Sequence, residues 1–300
     1  MTGDRPVSRV IVTGAGGLVG GVVASWLGEA GFAVTAGQHE ALGPPYLPSV
    51  ALDLLSAASV EAALDVSRAD AVVHAAALAN PDHCEADPAR AEALNVRVPE
   101  GLARACRRRG LHLVAFSTDL VFPGDRSPLS EKVAPAPILV YGRTKLAGEE
   151  AVLAEAPGAA VVRVALVYGR GHGPRGTASE SIAWALAAGR PVKLFTDQYR
   201  TPIDVASVAD AVARILRGHG SGRYHLGGPE RVSRHTFGLR VANALGLPAT
   251  AIVPVTQADV PQAARRPADV ALDSTRARGE LGWEPRPLDT AIRDGRTAPL

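Results

Sequence analysis

The sequence predicts an α/β fold in which a doubly wound parallel sheet is joined by a smaller C-terminal α/β lobe. Short apolar runs rich in β-branched residues alternate with helical segments through the first half of the chain, and this alternation is typical of parallel sheets. A glycine-rich turn joins the first strand to the first helix. The chain has 300 residues, of which 47% are hydrophobic, enough for one large domain and a smaller lobe.

The predicted strands are short apolar runs bounded by polar or glycine-rich residues. They cover residues 7–13, 32–36, 50–52, 70–74, 111–116, 160–164, 192–195 and 223–226. Helical periodicity lies between them, including one long helix expected from 87 to 109 and two later helices at 207–216 and 233–245. The first six strands therefore alternate with helices, as a doubly wound sheet requires.

The first turn carries a nucleotide-binding pattern, because Gly14, Gly17 and Gly20 follow a GxxGxxG spacing. The first glycine allows a sharp turn, the second lets a pyrophosphate approach the backbone, and the third lets the helix pack on the strand. The helix start at Leu18 and Val19 would offer amide donors and a favourable dipole to phosphate. The pattern favours a Rossmann-type dinucleotide site over a tight turn without a ligand.

The second strand bears on the choice of cofactor. An acidic residue normally ends this strand when the cofactor is NAD, where it holds the ribose 2′-hydroxyl. Here the chain reads Gly37-Gln38-His39-Glu40, with no acid at the strand tip and no arginine following. We expect NADP or NAD, with NADPH slightly favoured, and Gln38 and His39 near the ribose.

Further candidate cofactor contacts lie at the ends of the later strands. Small residues there allow close approach of a cofactor to the backbone, whereas His74 is expected to be a packed core histidine. The candidates are Asp53, Leu54, Ala75, Ala76, Ala77, Asn95 and Ser117.

A tyrosine and a lysine form the candidate catalytic pair. Tyr141 and Lys145 lie four residues apart at the start of a predicted helix, so they share one face. A nearby ammonium lowers the pKa of a phenol, and a tuned tyrosine can exchange a proton with a substrate oxygen. Thr118 follows the fifth strand, at the edge of the sheet where ligands bind. Without other motifs these residues would suit an exposed helix and a hydroxyl cap.

Composition excludes several other classes of protein. The net charge is +2 and the one basic run, 107–109, precedes Gly110 at an expected helix end, where cations suit the helix dipole. We therefore expect no nucleic-acid partner. Cys84 and Cys106 lack metal-ligand spacing, so we expect reduced thiols and no metal. No run is long enough to cross a membrane and no signal peptide is recognised, which predicts a cytoplasmic protein.

Taken together, three motifs resemble those of the extended short-chain dehydrogenase/reductases: Gly14-x-x-Gly17-x-x-Gly20, Ser117-Thr118-Asp119 and Tyr141-x-x-x-Lys145. The resemblance implies a nicotinamide dinucleotide in a Rossmann domain and a nucleotide-linked sugar in a C-terminal lobe. We expect the dinucleotide domain to comprise 1–166 plus about 203–228, and the substrate lobe 167–202 plus 229–300. A homodimer is the assembly we consider.

Within that superfamily, segments 117–122 and 194–198, and Arg266-Pro267 ahead of 281–283, resemble dTDP-4-dehydrorhamnose reductases. The resemblance implies a triad in which Tyr141 protonates a keto oxygen, Lys145 holds the nicotinamide ribose and keeps Tyr141 acidic, and Thr118 binds the substrate oxygen. It also implies the substrate contacts Thr118, Asp119, Leu120, Val121, Phe122, Gln198 and Arg266.

Two departures from these reductases leave the sugar open. They usually have Tyr where Leu120 stands and Asp where Pro123 stands, and both positions border the substrate.

Two other functions are also considered. A sugar-nucleotide epimerase or 4,6-dehydratase with NAD is one, although a dehydratase would need a glutamate at Leu120. A non-catalytic subunit resembling the regulatory subunit of methionine adenosyltransferase is the other. The intact triad favours a reductase of a nucleotide-linked 4-keto-sugar.

Overall fold

The computed structural model describes residues 6–173, 176–261 and 264–295. Its strands are β1 (Arg9–Thr13), β2 (Ala33–Gln38), β3 (Ser49–Ala51), β4 (Ala71–His74), β5 (His112–Thr118), β6 (Ala160–Val164), β7 (Val167–Tyr168), β8 (Val192–Phe195), β9 (Tyr199–Arg200), β10 (Ile203–Asp204), β11 (Gly222–Leu226), β12 (Val232–Ser233) and β13 (Ile252–Val255). Seven of them form a parallel sheet in the order β11-β6-β5-β4-β1-β2-β3. The predicted Rossmann-type doubly wound sheet is confirmed.

Helices cover both faces of this sheet and build the lobe. They are α1 (Leu18–Glu29), α2 (Ala57–Ser67), α3 (Pro81–Ala86), α4 (Pro88–Glu92), α5 (Val98–Arg109), α6 (Val140–Glu155), α7 (Ala178–Ala187), α8 (Val205–Gly218), α9 (Arg234–Leu245), α10 (Thr275–Leu281) and α11 (Leu288–Asp294). The sequence patterns did not predict α3, α11 or the two-residue strands, because each is too short to establish a periodicity.

The predicted helix from 87 to 109 is wrong in one respect, since a π-helical turn at Ala93–Arg97 separates α4 from α5. Pro99 has no N–H to donate to the carbonyl of Asn95, four residues earlier. That carbonyl instead lies against α6, where a Cβ atom on Gly148 would stand 2.1 Å from it. The missing donor and the close glycine together account for the bulge.

The core lies on the two faces of the sheet. Val10 and Val12 of β1 pack in a cluster with α1 and α8, whereas Ile11 packs in the opposite cluster with α2 and α5. Side chains alternate across a strand, and the central strands β1 and β4 are apolar on both sides because helices cover both. The sheet is therefore buried on both faces, and its ligands must bind at an end.

The lobe has an apolar cluster of its own, made mainly by α7, α9 and α11. Three two-stranded ladders, β7 with β10, β9 with β12 and β8 with β13, accompany it. By contrast, β11 lies in the main sheet and α8 packs on α1. The division into 1–166 plus about 203–228 and 167–202 plus 229–300 stays a proposal, because the β7–β10 ladder crosses its boundary and α10 packs on α8 and β11. No helix of the described residues is long and apolar enough to span a bilayer.

Candidate active site

A cleft of about 710 Å³ opens at the carboxyl ends of the central strands, between the sheet and the lobe. Ligands of open α/β sheets bind at this edge. The predicted site residues that line the cleft are Val19, Ala75, Ala77, Ser117, Thr118, Asp119, Leu120, Tyr141, Lys145, Gln198 and Arg266. Residues from both the dinucleotide and the substrate predictions thus meet in one cavity.

The glycine turn closes tightly under the start of α1. Gly14 has a φ of 70° and its Cβ would stand 2.7 Å from the amide nitrogen of Ala76, while a Cβ on Gly20 would stand 2.3 Å from the carbonyl oxygen of Gly14. Gly17 differs, because the carbonyl oxygen of Gly14, at 3.1 Å, is the only atom near its Cβ position. No side chain caps α1 at Gly17, so its first amides are free to bind an anion.

The residues predicted at the ribose end are held in structural hydrogen bonds away from the cleft. The Gln38 amide donates to the Ser49 hydroxyl at 3.0 Å and accepts from the Gly43 amide at 2.9 Å. The Asp53 carboxylate accepts from the Leu55 amide at 2.9 Å. His39 is exposed. Gln38, Asp53 and Leu54 therefore shape the end of β2 and the turn after β3, and the triad cleft does not reach them.

Three other predicted contacts are core residues. Val121 and Phe122 are fully buried, and Phe122 packs edge-on against His225 with ring centroids 5.6 Å apart. Asn95 is also buried and binds the backbone of Leu78 through both ends of its amide. We correct their sequence-based assignment, because the side chains of Val121 and Phe122 after β5, and of Asn95 in the π-helical turn, pack inward and do not line the cleft.

His74, expected to be a core histidine, is buried beside the Thr13 hydroxyl, at 2.8 Å from its Nδ1. Burial lowers the pKa of His74 to about 3 and nearby Lys145 adds to the effect. The imidazole is therefore neutral at physiological pH, consistent with a packing role.

Thr118, Tyr141 and Lys145 come together on the cleft wall. The Lys145 ammonium donates to the carbonyl oxygen of Phe116 at 2.7 Å, and burial lowers the pKa of Lys145 to about 8. Burial raises the pKa of Tyr141 above its ordinary range, opposed by the Thr118 hydroxyl and reinforced by the Asp119 carboxylate. The net shift of the Tyr141 pKa is therefore upward, opposite to the lowering expected from Lys145. The phenol stays protonated at neutral pH and is available as a donor.

A buried ion pair behind the triad was missed in the sequence. Glu149 accepts from Arg163 at 2.7 Å, and both side chains are almost fully buried. The Ser117 hydroxyl donates to the same carboxylate. Two features of the sequence could have indicated this ion pair. Arg163 interrupts the apolar run of β6, and Glu149 follows Lys145 by four residues. Through Ser117, Arg163 and Glu149 the pair joins β5, β6 and α6 close to Lys145.

The lobe side of the cleft is polar and rich in arginine. Arg200 and Arg234, which were not predicted, line it with Asp119, and the Arg200 Nε lies 3.8 Å from an Asp119 carboxylate oxygen. Burial raises the pKa of Asp119 to about 6. Arg266 binds Asp82 through two contacts of 3.0 Å. The cleft thus joins a proton donor on one wall to cationic donors on the other.

Sequence comparison matches residues 8–296 to the RmlD substrate binding domain. The probable low-salt glycan biosynthesis reductase Agl14 of Haloferax volcanii is 36% identical over 278 residues, which covers 90% of this chain and 91% of that protein. A dTDP-4-dehydrorhamnose reductase of Mycobacterium tuberculosis is 35% identical over 276 residues, which covers 89% of this chain and 85% of that protein. The methionine adenosyltransferase 2 subunit beta of Xenopus laevis is 32% identical over 299 residues, which covers 96% of this chain and 87% of that protein.

Solved structures show the same fold. The dTDP-4-dehydrorhamnose reductase of Bacillus anthracis in complex with NADP superposes with a TM-score of 0.85 at 23% identity, covering 96% of this chain and 98% of that one. MoeE5 in complex with UDP-glucuronic acid and NAD superposes with a TM-score of 0.80 at 26% identity, covering 95% and 96%.

Proposed function

The chain belongs to the RmlD substrate-binding domain family of extended short-chain dehydrogenase/reductases, and from this premise we propose that it reduces a nucleotide-linked 4-keto-sugar with NAD(P)H. It is an NAD(P)-dependent oxidoreductase of the sugar-nucleotide type. The observation that carries the proposal is the meeting of Thr118, Tyr141 and Lys145 on a cleft that also contains the start of α1.

The glycine turn fits a dinucleotide. Gly14 and Gly20 leave no room for a Cβ atom, and the amides that begin α1 have no side-chain cap. These amides would hold the pyrophosphate. When bound, the nicotinamide cofactor supplies the hydride. We place Ala75 and Ala77 beside it because both are small and line the same cleft.

The chain's own part in the reaction is proton transfer and charge stabilisation. Tyr141, kept protonated by burial, donates its proton to the sugar oxygen. The Thr118 hydroxyl donates a hydrogen bond to that oxygen as negative charge develops there. Lys145 supplies a positive charge one helical turn away from Tyr141, within the same cleft. Together these three buried groups stabilise an alkoxide-like transition state.

The substrate that we test first is dTDP-4-dehydrorhamnose, with its UDP-linked counterpart as the alternative. NADPH consumption by purified protein is expected with at least one of them, and the product should be a nucleotide-linked deoxysugar without the keto group. Tyr141→Phe is the catalytic control. Absence of turnover with both substrates and both reduced cofactors would contradict the proposal.

A second candidate is a regulatory subunit, favoured by the 32% identity to the methionine adenosyltransferase subunit. In that case the protein would bind a dinucleotide and a partner enzyme without consuming NADPH. A dehydratase is less well supported, because Leu120 occupies the position where a dehydratase needs glutamate, but this residue does not argue against an epimerase. Product analysis with NAD and a nucleotide-linked hexose distinguishes it, since only that class interconverts the sugar without net reduction.

A further inference from the structure

Arg234 stands on the lobe wall of the cleft at the first position of α9. Its backbone amide donates to the carbonyl of Gln198 at 2.9 Å, and the adjacent ladder pairs Ser233 with Tyr199. These bonds fix Arg234 beside Gln198. Two long polar side chains thus enter the cleft from neighbouring elements.

Both side chains lack acceptors. Among the described residues, the Arg234 guanidinium makes no hydrogen bond and no ion pair, and the buried Nε2 of Gln198 has no partner. Gln198 is only 4% exposed. A buried donor without an acceptor is destabilising. Such a pair is expected where a ligand supplies the acceptors.

The positive charge of the Arg234 guanidinium also lies at an electrostatically unfavourable position. A cation at the start of a helix opposes the helix dipole, and Arg200 lies nearby on the same wall. Burial lowers the pKa of Arg234 to about 10, and Arg200 adds to this effect. Asp119 is the carboxylate that opposes the two guanidinium groups, but one of its oxygens already accepts from Thr118. An anionic ligand would offset these local costs.

The other arginines of the cleft are already occupied. Arg200 donates to the backbone carbonyls of Pro267, Ala268 and Tyr199, and Arg266 binds Asp82. Asp269, the remaining acid near Arg200, is held by Arg231 at 2.7 Å. Arg234 is therefore the guanidinium of this wall that is free to form a bidentate contact with a planar or tetrahedral anion.

We propose that Arg234, assisted by Gln198, is a substrate-binding residue that holds an anionic, oxygen-rich group of the nucleotide-sugar. This deepens the proposed function and rests on it only in taking a nucleotide-sugar as the ligand. The anion is either the diphosphate or a carboxylate on the sugar, and both would accept from the same fork of N–H groups.

The test is calorimetric titration of dTDP, UDP-glucose and UDP-glucuronic acid into protein saturated with NADPH. Saturation keeps nucleotides out of the cofactor site. The variants are Arg234→Gln, which removes the charge, and Arg234→Lys, which keeps the charge without the fork. Arg190→Gln is the matched control, because Arg190 is exposed and its side chain has no partner in the described part of the chain.

Arg234→Gln is expected to weaken binding at least tenfold, with an intermediate loss for Arg234→Lys and none for Arg190→Gln. A loss for all three ligands assigns the contact to the diphosphate, and a loss confined to UDP-glucuronic acid assigns it to a sugar carboxylate. Equal affinities in wild type and both Arg234 variants, or no binding to wild type, would overturn the inference. If Arg234→Gln does not fold, Arg234→Lys decides the outcome.

The readout is binding, so it is independent of turnover. A wild-type protein that fails to reduce any 4-keto-sugar, yet loses affinity on Arg234→Gln, would contradict the proposed reaction and leave this inference standing.

Discussion

The proton on Tyr141 is the residue-scale feature on which the proposed reaction depends. Burial keeps it on the phenol, and removing the hydroxyl leaves the ring in place. Tyr141→Phe should therefore lower kcat by about 10² to 10⁴, the usual contribution of general acid catalysis, while NADPH affinity stays near wild type. Steady-state kinetics paired with direct NADPH titration measures both. Tyr46→Phe is the control, because Tyr46 is exposed. If Tyr141→Phe keeps a kcat above about a tenth of the wild-type value, another group is the acid.

The ion pair of Glu149 and Arg163 gives a residue-scale prediction about stability. Removing one partner of a buried pair leaves the other charge uncompensated and typically costs about 3 to 5 kcal/mol. Glu149→Gln should therefore lower the urea midpoint markedly. The matched control is Glu284→Gln, whose partner Arg278 is exposed, and which should change stability by no more than about 1 kcal/mol. Equal midpoints for the two variants would show that the buried pair does not stabilise the fold.

At the scale of elements, the turn between β1 and α1 contains glycines for two different reasons, the packing of the backbone and the binding of the cofactor. Gly14 and Gly20 leave no space for a side chain, whereas a Cβ on Gly17 would stand 3.1 Å from the Gly14 carbonyl oxygen and the φ of Gly17 is −89°. A branched residue at Gly17 would instead block the approach of the pyrophosphate to the backbone. We therefore expect Gly14 and Gly20 to be needed for folding and Gly17 for the ligand.

Gly17→Val should abolish measurable NADPH affinity and leave the thermal midpoint close to wild type. Gly20→Ala is the comparison, because its Cβ would collide with the Gly14 carbonyl, so it should lower the midpoint itself. Calorimetry and thermal unfolding of the two variants check this. Unchanged NADPH affinity in folded Gly17→Val would exclude the turn as the pyrophosphate site.

At the scale of the whole molecule, the two ends of the dinucleotide site lie in different parts of the sheet. The catalytic end is the cleft at β4, β5 and β6, whereas Gln38 and His39 stand at the end of β2, with no acid at the strand tip. We therefore expect the residues that set cofactor preference to lie outside the cleft that holds Tyr141. We expect a modest preference for NADPH, and a comparison of kcat/KM with the two reduced cofactors measures it. A preference for NADH beyond about a hundredfold, worth roughly 2.7 kcal/mol, would show that another residue takes the part of the missing acid.

Periodicity and local motifs were enough to predict the parallel sheet and the glycine turn, because each depends on residues close together in the chain, whereas the proposed triad of Thr118, Tyr141 and Lys145 came from the family resemblance of two separate motifs. The strands at 160–164 and 192–195 agree with the structure to the residue. The π-helical turn at Ala93–Arg97 was not predicted, because it depends on the contact of Asn95 with Gly148 across two helices as well as on Pro99.

Only the tertiary structure decided which of the predicted residues face the cleft and which are core. The family resemblance assigned Val121 and Phe122 to the substrate, but their side chains turn inward at the end of β5. It did not identify Glu149, Arg200 or Arg234, whose roles come from partners more than ten residues away or from the lack of any partner. The raised pKa of Tyr141 likewise comes from burial. Burial and side-chain pairing arise when distant parts of the chain pack together, so the spacing of residues along the sequence does not reveal them.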